Sequence, residues 1–315
     1  MLAALIALIS SLASAQTFPS RPIRMVVAYA PGGTTDLLAR SIAVKLSETW
    51  KQSVVVDNRS GGGGIIGTET VAKAAPDGHT LLLSPPAPIS INVSLHKSLP
   101  YDPFRQLTPI TLIATTPSLL LVPAKSPVIS VSNLIASAKA QSQGMTYAST
   151  GNGSPSHLMG ALFALETQTN LVHVPYKGTG PALVDLIGAR VDFMFNTIPA
   201  ILPNVRSNQL RALGVTGAKR FSALPDVPTM REAGLASIQS SGWYGLLAPA
   251  GVPPAILSRI HDYAVKVIAS PEIQAKLAPE GAELIGNTPA QFAQFIKEDV
   301  ARWKRVISEA KITAD

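Results

Sequence analysis

Ile23-Arg24-Met25-Val26-Val27-Ala28-Tyr29, followed by Ala30-Pro31-Gly32-Gly33-Thr34-Thr35-Asp36, is the stretch that decides the fold. Its first half is mostly apolar and reads as a strand, and Pro31-Gly32-Gly33 breaks it. From about Thr35 to Trp50, Leu38, Ile42, Leu46 and Trp50 recur at i+4 spacing, the apolar face of a helix. Beyond it, Val54-Val55-Val56 reads as a short buried strand. A glycine run follows, then a helix near Gly67 to Ala75 and a strand over Thr80–Ser84. This β-α-β-α-β series is the signature of a parallel sheet with crossover helices.

The same grammar returns mid-chain. Strands are expected at Met145–Ser149, Leu171–Tyr176, Val191–Phe195 and Leu210–Thr216, with helices at Pro155–Gln168 and Pro181–Ile187. The C-terminal part reads as helical, with Pro254, Pro271 and Pro289 at first helical positions. Ile113–Pro123 and Ser241–Pro249 are extended segments between these parts. If the tail returns to the first unit, both cross between domains and suit a hinge. The expected division is 16–117 with 243–315 as a discontinuous first domain and 118–242 as the second. The two units read as a weak structural duplication.

Residues 2–13 form an apolar run too short to span a bilayer, which takes ~20 residues. It ends in Ala13-Ser14-Ala15, an A-x-A-like cleavage pattern, so residues 1–15 read as a signal peptide and the mature chain as exported, although no Lys or Arg precedes the run. The 315 residues suit roughly two domains of ~150 residues. Only 14% are charged and 46% are hydrophobic, which excludes a disordered chain or coiled coil. With no cysteine there is no disulfide framework or thiolate chemistry. Aromatics at 5% argue against a single-strand nucleic-acid platform. The net charge of +7 is scattered rather than blocked, and fits a basic, soluble surface.

Ligands of open α/β sheets bind beyond the carboxyl ends of the strands. The first candidate is the 30–36 loop. Gly32 and Gly33 leave backbone N–H groups uncovered at a helix N-terminus, where the dipole favours an anion, although a plain capped turn has the same residues. The second is Ser149-Thr150-Gly151-Asn152-Gly153-Ser154-Pro155-Ser156-His157. Ser154 caps the helix, Pro155 opens it, and the glycines make an anion-sized nest. His157 reads as a structural hydrogen bonder rather than a base. Lys177, in Pro175-Tyr176-Lys177-Gly178, reads as solvated. Asn196, expected just past its strand, either bonds a ligand or caps the next helix.

Two look-alikes are set aside. Gly62-x-Gly64-x-x-Gly67 follows a strand, but Leu81–Ala87 holds no acidic residue for a ribose, so dinucleotide binding is not expected. Gly151-x-Gly153-Ser154 lacks the glycine of a nucleophile elbow, with Ser156 in its place. The five histidines have no metal-ligand spacing, so neither metal nor cofactor is expected.

Taken in order, Pro22-Ile23-Arg24, Pro31-Gly32-Gly33-x-x-Asp36, Val55-Val56-Asp57-Asn58-Arg59, Pro76-Asp77-Gly78 and Leu99-Pro100-Tyr101-Asp102-Pro103 form a series. Gly151-Asn152-Gly153-Ser154-x-x-His157-Leu158, Val174-Pro175-Tyr176-Lys177-Gly178, Pro225-Asp226-Val227-Pro228-Thr229 and Trp243-Tyr244-Gly245-Leu246 continue it. The series resembles the substrate-binding receptors of tripartite tricarboxylate transporters, the Bug family, over nearly the whole mature chain. The resemblance implies an α/β, two-domain periplasmic binding protein (type II, flytrap-like), each domain a mainly parallel sheet flanked by helices. It implies capture of a small carboxylate and delivery to a permease with a large and a small membrane subunit. It maps the family's ligand loops onto residues 30–36 and 149–154; with Asn196 at its strand end and Tyr29 at the pocket wall, the expected ligand contacts are Tyr29, Pro31, Gly32, Gly33, Thr34, Asp36, Ser84, Ser149, Thr150, Gly151, Gly153, Ser154 and Asn196. The proline-rich run Ser84–Asn92 departs from the pattern of relatives.

The expectation is therefore a periplasmic, monomeric carboxylate receptor without catalysis, cofactor, metal or nucleic-acid partner. Its rivals are a receptor that presents ligand to a sensor protein and, further off, a serine hydrolase or NAD-dependent enzyme. Which carboxylate is bound is not legible.

Overall fold

The computed structural model describes residues 18–238 and 241–313. The expected signal peptide lies outside them. In chain order the elements are β1 (Ile23–Val27), α1 (Thr34–Trp50), β2 (Val54–Asn58), α2 (Ile65–Ala72), β3 (Thr80–Ser84), α3 (Asn92–Leu95) and β4 (Leu107–Pro123). There follow α4 (Val131–Ala140), β5 (Met145–Ser149), α5 (Pro155–Thr167), β6 (Leu171–Pro175), α6 (Thr179–Ile187), β7 (Phe193–Thr197), α7 (Ile198–Arg206) and β8 (Leu210–Val215). The chain closes with β9 (Ser241–Pro249), α8 (Pro254–Ile268), α9 (Pro271–Leu277), β10 (Glu283–Leu284) and α10 (Pro289–Glu309).

The duplication is visible in strand order. In the first unit β1 pairs in parallel with β2 and β3, and β9 closes on β3 antiparallel. In the second, β5 pairs in parallel with β6 and β7, and β4 closes on β7 antiparallel. β4 and β9 are the two strands that join the units. β4 pairs with β9 from Leu107 to Pro117 and turns to β7 from Ser118 on, with β8 along its other edge. Cores form on each side because strand and helix faces alternate apolar residues toward the sheet. Leu38, Ile42, Leu46 and Trp50 join the first core as the i+4 stripe requires.

Several boundaries move for physical reasons. β1 stops at Val27, where Arg59 N–H takes the Val27 carbonyl and pairing with β2 ends. β2 is an edge strand, so Val55 stands 54% exposed instead of buried. Gly62–Gly64 winds into a short 3-10 turn that starts α2 earlier than expected, and α2 ends at Ala72. β7 begins at Phe193, since the Asp192 carboxylate is spent on the Thr146 N–H and hydroxyl. β7 runs on to Thr197 in its pairing with β4, so Asn196 is within β7 and not beyond it.

The largest departure is the proline-rich run. Ala87–Ile91 forms a π-helical turn that passes into α3. Its packing crosses the expected domain boundary. Ala87, Ile91 and Leu95 join the second unit's core, as do Trp303, Val306 and Ile307 from the end of α10, whereas Ile89 faces the first unit. Within the segment 243–315 expected to join the first domain, the last turns of α10 pack with the second unit's core.

Candidate ligand-binding site

Residues 28–33 join β1 to α1, whose first residues are Thr34 and Thr35. Gly32 adopts φ +87°, a left-handed conformation that favours glycine, and its N–H donates to Asp36 Oδ2 at 3.1 Å. Arg40 Nε donates to the same oxygen at 3.0 Å, and Arg40 Nη2 reaches Asn58 Oδ1 at 3.1 Å. Burial opposes ionisation of Asp36, but Arg40, the Gly32 N–H and Asn58 outweigh it and hold the carboxyl below its ordinary value. Asp36 thus braces the loop through Gly32 and Arg40. Gly33 is the N-cap of α1 without a side-chain cap, and the N–H groups of Gly33, Thr34 and Thr35 have no partner among the described residues. They are the orphan donors of a helix start, at its positive end. A crevice of about 590 Å³ opens here, with Gly32, Gly33, Thr34, Asp36 and Arg40 on one side. Pro199 and Ala200 of α7 and Lys276 and Leu277 of α9 close the other sides.

Loop 149–156 is different, because its donors are already used. Thr150 N–H goes to Ser156 Oγ at 2.9 Å, Gly151 N–H to Ser149 Oγ at 3.1 Å, and Gly153 N–H to His157 Nδ1 at 3.0 Å. Ser154 N–H goes to the Gly151 carbonyl, while Ser154 Oγ accepts the His157 N–H and caps α5. Only the N–H groups of Asn152 and Ser156 keep no partner within the loop. Ser149 is fully buried, its Oγ 2.6 Å from His173 Nε2. His157 and His173 stack with ring centroids 3.7 Å apart, and Tyr147 lies beside them. Burial pushes the His157 pKa down to about 4; burial and the neighbouring His157 push His173 to about 4. His157 is a structural acceptor, as its place one turn into α5 suggested.

The other expected contacts are also engaged. Tyr29 hydroxyl donates to the Gly63 carbonyl at 3.0 Å, Ser84 Oγ to the Pro85 carbonyl, and Asn196 bonds Thr179 Oγ1 and the Thr197 N–H. Pro31 is exposed at the loop's outer edge. The glycine motif 62–67 serves packing: a Cβ on Gly64 would press on Tyr29 and Pro88, and one on Gly67 would strike the Ala28 backbone.

Sequence reasoning missed the floor between the units. Thr34 Oγ1 meets Thr197 Oγ1 at 3.3 Å, joining the first ligand loop to the end of β7. Burial raises the phenol of Tyr244 on β9, opposed by the hydroxyls of Thr116, Thr34 and Thr197 around it. The sequence signal was Trp243-Tyr244 inside an extended segment, which marks a linking strand without showing what faces it.

Two α/β units joined by two strands, with uncovered N–H groups at a helix start beside the crevice between them, define a periplasmic-type solute-binding protein. Residues 38–312 match the tripartite tricarboxylate transporter family receptor, and the chain belongs to that family. It is 39% identical to the protein BugT of Bordetella pertussis over 297 residues, 94% of this chain and 91% of that one. The fold superposes on R. palustris Rpa4515 with adipate at TM-score 0.89 and 36% identity, covering 94% of this chain and 99% of that one. It also superposes on MatC (Rpa3494) from Rhodopseudomonas palustris with bound malate, at TM-score 0.85 and 32% identity, covering 92% and 100%. The chain is a solute-binding receptor and not an enzyme, and receptors of this family are periplasmic.

Proposed function

We propose that this receptor captures a small di- or tricarboxylate between its two units and passes it to a tripartite tricarboxylate-type permease. The observation that carries the reading is the set of unpartnered N–H groups at Gly33, Thr34 and Thr35 at the start of α1, where Gly33 and Thr34 line a crevice of ligand size. One carboxylate accepts from these donors, and the second unit closes over the rest of the molecule. Relatives with adipate and with malate support this class of ligand. Hydrogen bonds to a charged group contribute ~1.5–3 kcal/mol each, so three of them, less ordering costs, are compatible with the roughly −8 kcal/mol of micromolar binding. Backbone donors carry no fixed charge, which leaves release feasible. Tyr29, Ser84, Ser149, Thr150, Gly151, Gly153, Ser154 and Asn196 then shape and brace the site more than they touch the anion.

The test is a thermal-shift screen of the purified protein against aliphatic, hydroxy and aromatic carboxylates, with calorimetry on each hit. Stabilisation by one or a few carboxylates, and none by uncharged analogues, is the expected result. Delivery to a permease and presentation to a sensor protein use the same liganded surface. Reconstituted uptake with the two membrane subunits distinguishes them.

A further inference from the structure

The proline-rich run has a place in the structure that its composition did not announce. Its π-helical turn is clamped to α10 and to a joining strand through one buried carboxylate: Asp299 Oδ2 accepts from Ser90 Oγ at 2.5 Å and from Trp243 Nε1 at 2.8 Å. Trp243 lies on β9, and Ser90 and Asp299 are 0% and 5% exposed. Four residues beyond the turn, Leu95 reaches the second unit. There Gly153, at φ +69°, leaves a notch that Leu95 fills, for a Cβ at 153 would overlap Leu95 Cδ2. The Gly153 N–H is spent on His157, so the need for glycine at 153 arises from this contact and from its backbone conformation.

We infer that Asp299 is a positioning residue for closure. By pinning Ser90 to Trp243 it holds the proline-rich turn so that Leu95 seats in the Gly153 notch, locking the second ligand loop against the first unit. β9 is one of the two strands between the units, and Asp299 ties the turn to it through Trp243. The loop and the joining strand thereby move together. Within the turn, Ser90 bonds Asp299 of α10 while the next residue, Ile91, joins the second core.

The chain has no cysteine, so two labels can be placed without interference. Val44→Cys on α1 and Val184→Cys on α6 are 58% and 63% exposed in the native residues. Spin-label distance measurements on the unliganded protein then report the separation of the units and need no ligand, so the outcome does not depend on the carboxylate reading. Asp299→Ala and Leu95→Ala are expected to lose the short-separation population several-fold. Asp299→Asn, whose amide oxygen still accepts from Trp243, is expected to retain it. Gly153→Ala is expected to lose far more of it when Leu95 is present than in the Leu95→Ala background, where only the strain of its φ of +69° remains, the signature of coupled residues. Should Asp299→Ala unfold the protein, the gentler Leu95→Val supplies the test, with an intermediate loss expected. Equal distributions in parent and variants, or a Gly153→Ala effect independent of residue 95, overturn the inference.

Discussion

The stacked histidines predict a window of acid sensitivity that belongs to the second ligand loop. His157 is buried, and its Nδ1 can accept the Gly153 N–H only while unprotonated. An imidazole titrates near 6.5 in the unfolded chain and near 4 here. The unfolded state therefore binds more protons between these values, and stability is full above about pH 6.5 and falls as pH drops toward 4. At pH 5 the linkage relation gives a loss of about 2 kcal/mol for His157 and less for the half-buried His173, roughly 3 kcal/mol together. For a chain of this size that is a fall in Tm of about 6 °C. The carboxyls of Asp36, Asp57, Asp77 and Glu232 are held below their ordinary values, so their contributions disappear only below pH ~4; burial raises the Asp299 carboxyl, which acts in the opposite sense to the histidines, so the double histidine variant isolates their share. The assay is Tm by calorimetry from pH 7.5 to 5 for the native protein and for His157→Gln with His173→Gln. A native slope that flattens in the double variant is the expected result. An equal Tm at both pH values, or an unchanged slope in the double variant, refutes the reasoning.

Gly33→Val should fold normally, since a Cβ there meets nothing within 4 Å, yet raise the Kd of the best carboxylate at least tenfold by filling the approach to the donors; calorimetry beside a melting curve checks this. Ser154→Ala should cost about 1 kcal/mol of stability through loss of the α5 cap and leave Kd within about twofold, because Ser154 Oγ is occupied by the His157 N–H. Asp36→Ala should weaken binding by releasing Gly32 and Arg40 together, and Arg40→Ala, which leaves the Gly32 bond, should weaken it less; a titration of both variants with one carboxylate reads the order. Thr34→Val should remove the hydroxyl contact to Thr197 while keeping the Thr34 N–H, so ligand should dissociate faster with little change in association, as stopped-flow fluorescence would show.

How much of this was legible follows from the range of each interaction. Strands β3, β5 and β9 are found where read, because each is a local apolar run with clear punctuation. The three N1 prolines are likewise local signals, and all three open helices. The loops at 30–36 and 149–156 were identifiable for the same reason, since glycine, proline and hydroxyl residues between strand and helix mark a turn wherever it lies. What no local pattern contains is which donors are spent. Gly33 and Gly153 look alike in sequence. The first has open space before it, whereas the second is filled by a leucine 58 positions earlier and has its N–H bound by a histidine. Thr34 with Thr197, and Ser90 with Asp299, are pairs 163 and 209 positions apart, and only the assembled sheets bring them together.

That asymmetry between the loops bears on how capture proceeds. A loop with unpartnered donors at a helix start gains by accepting an anion at once, while a loop whose donors are satisfied internally gains little and keeps its shape. On the proposed function, the first unit is the surface on which a carboxylate lands, and the second is a cover held by Leu95 and by the Thr34–Thr197 contact. Encounter and closure are then separable steps. Changes at Gly33 should act on both anion association and affinity, whereas changes at Leu95, Thr34 Oγ1 or Asp299 should act on how long the cover stays shut. A ligand shifts the units toward closure only by as much as it prefers the closed state, so any closing contact between protein groups lowers the preference required of the ligand. Measured association and dissociation rates for these two sets of variants should fall into two classes, and a Leu95→Ala receptor whose carboxylate association slows as much as its dissociation quickens would show that landing and closing are one event.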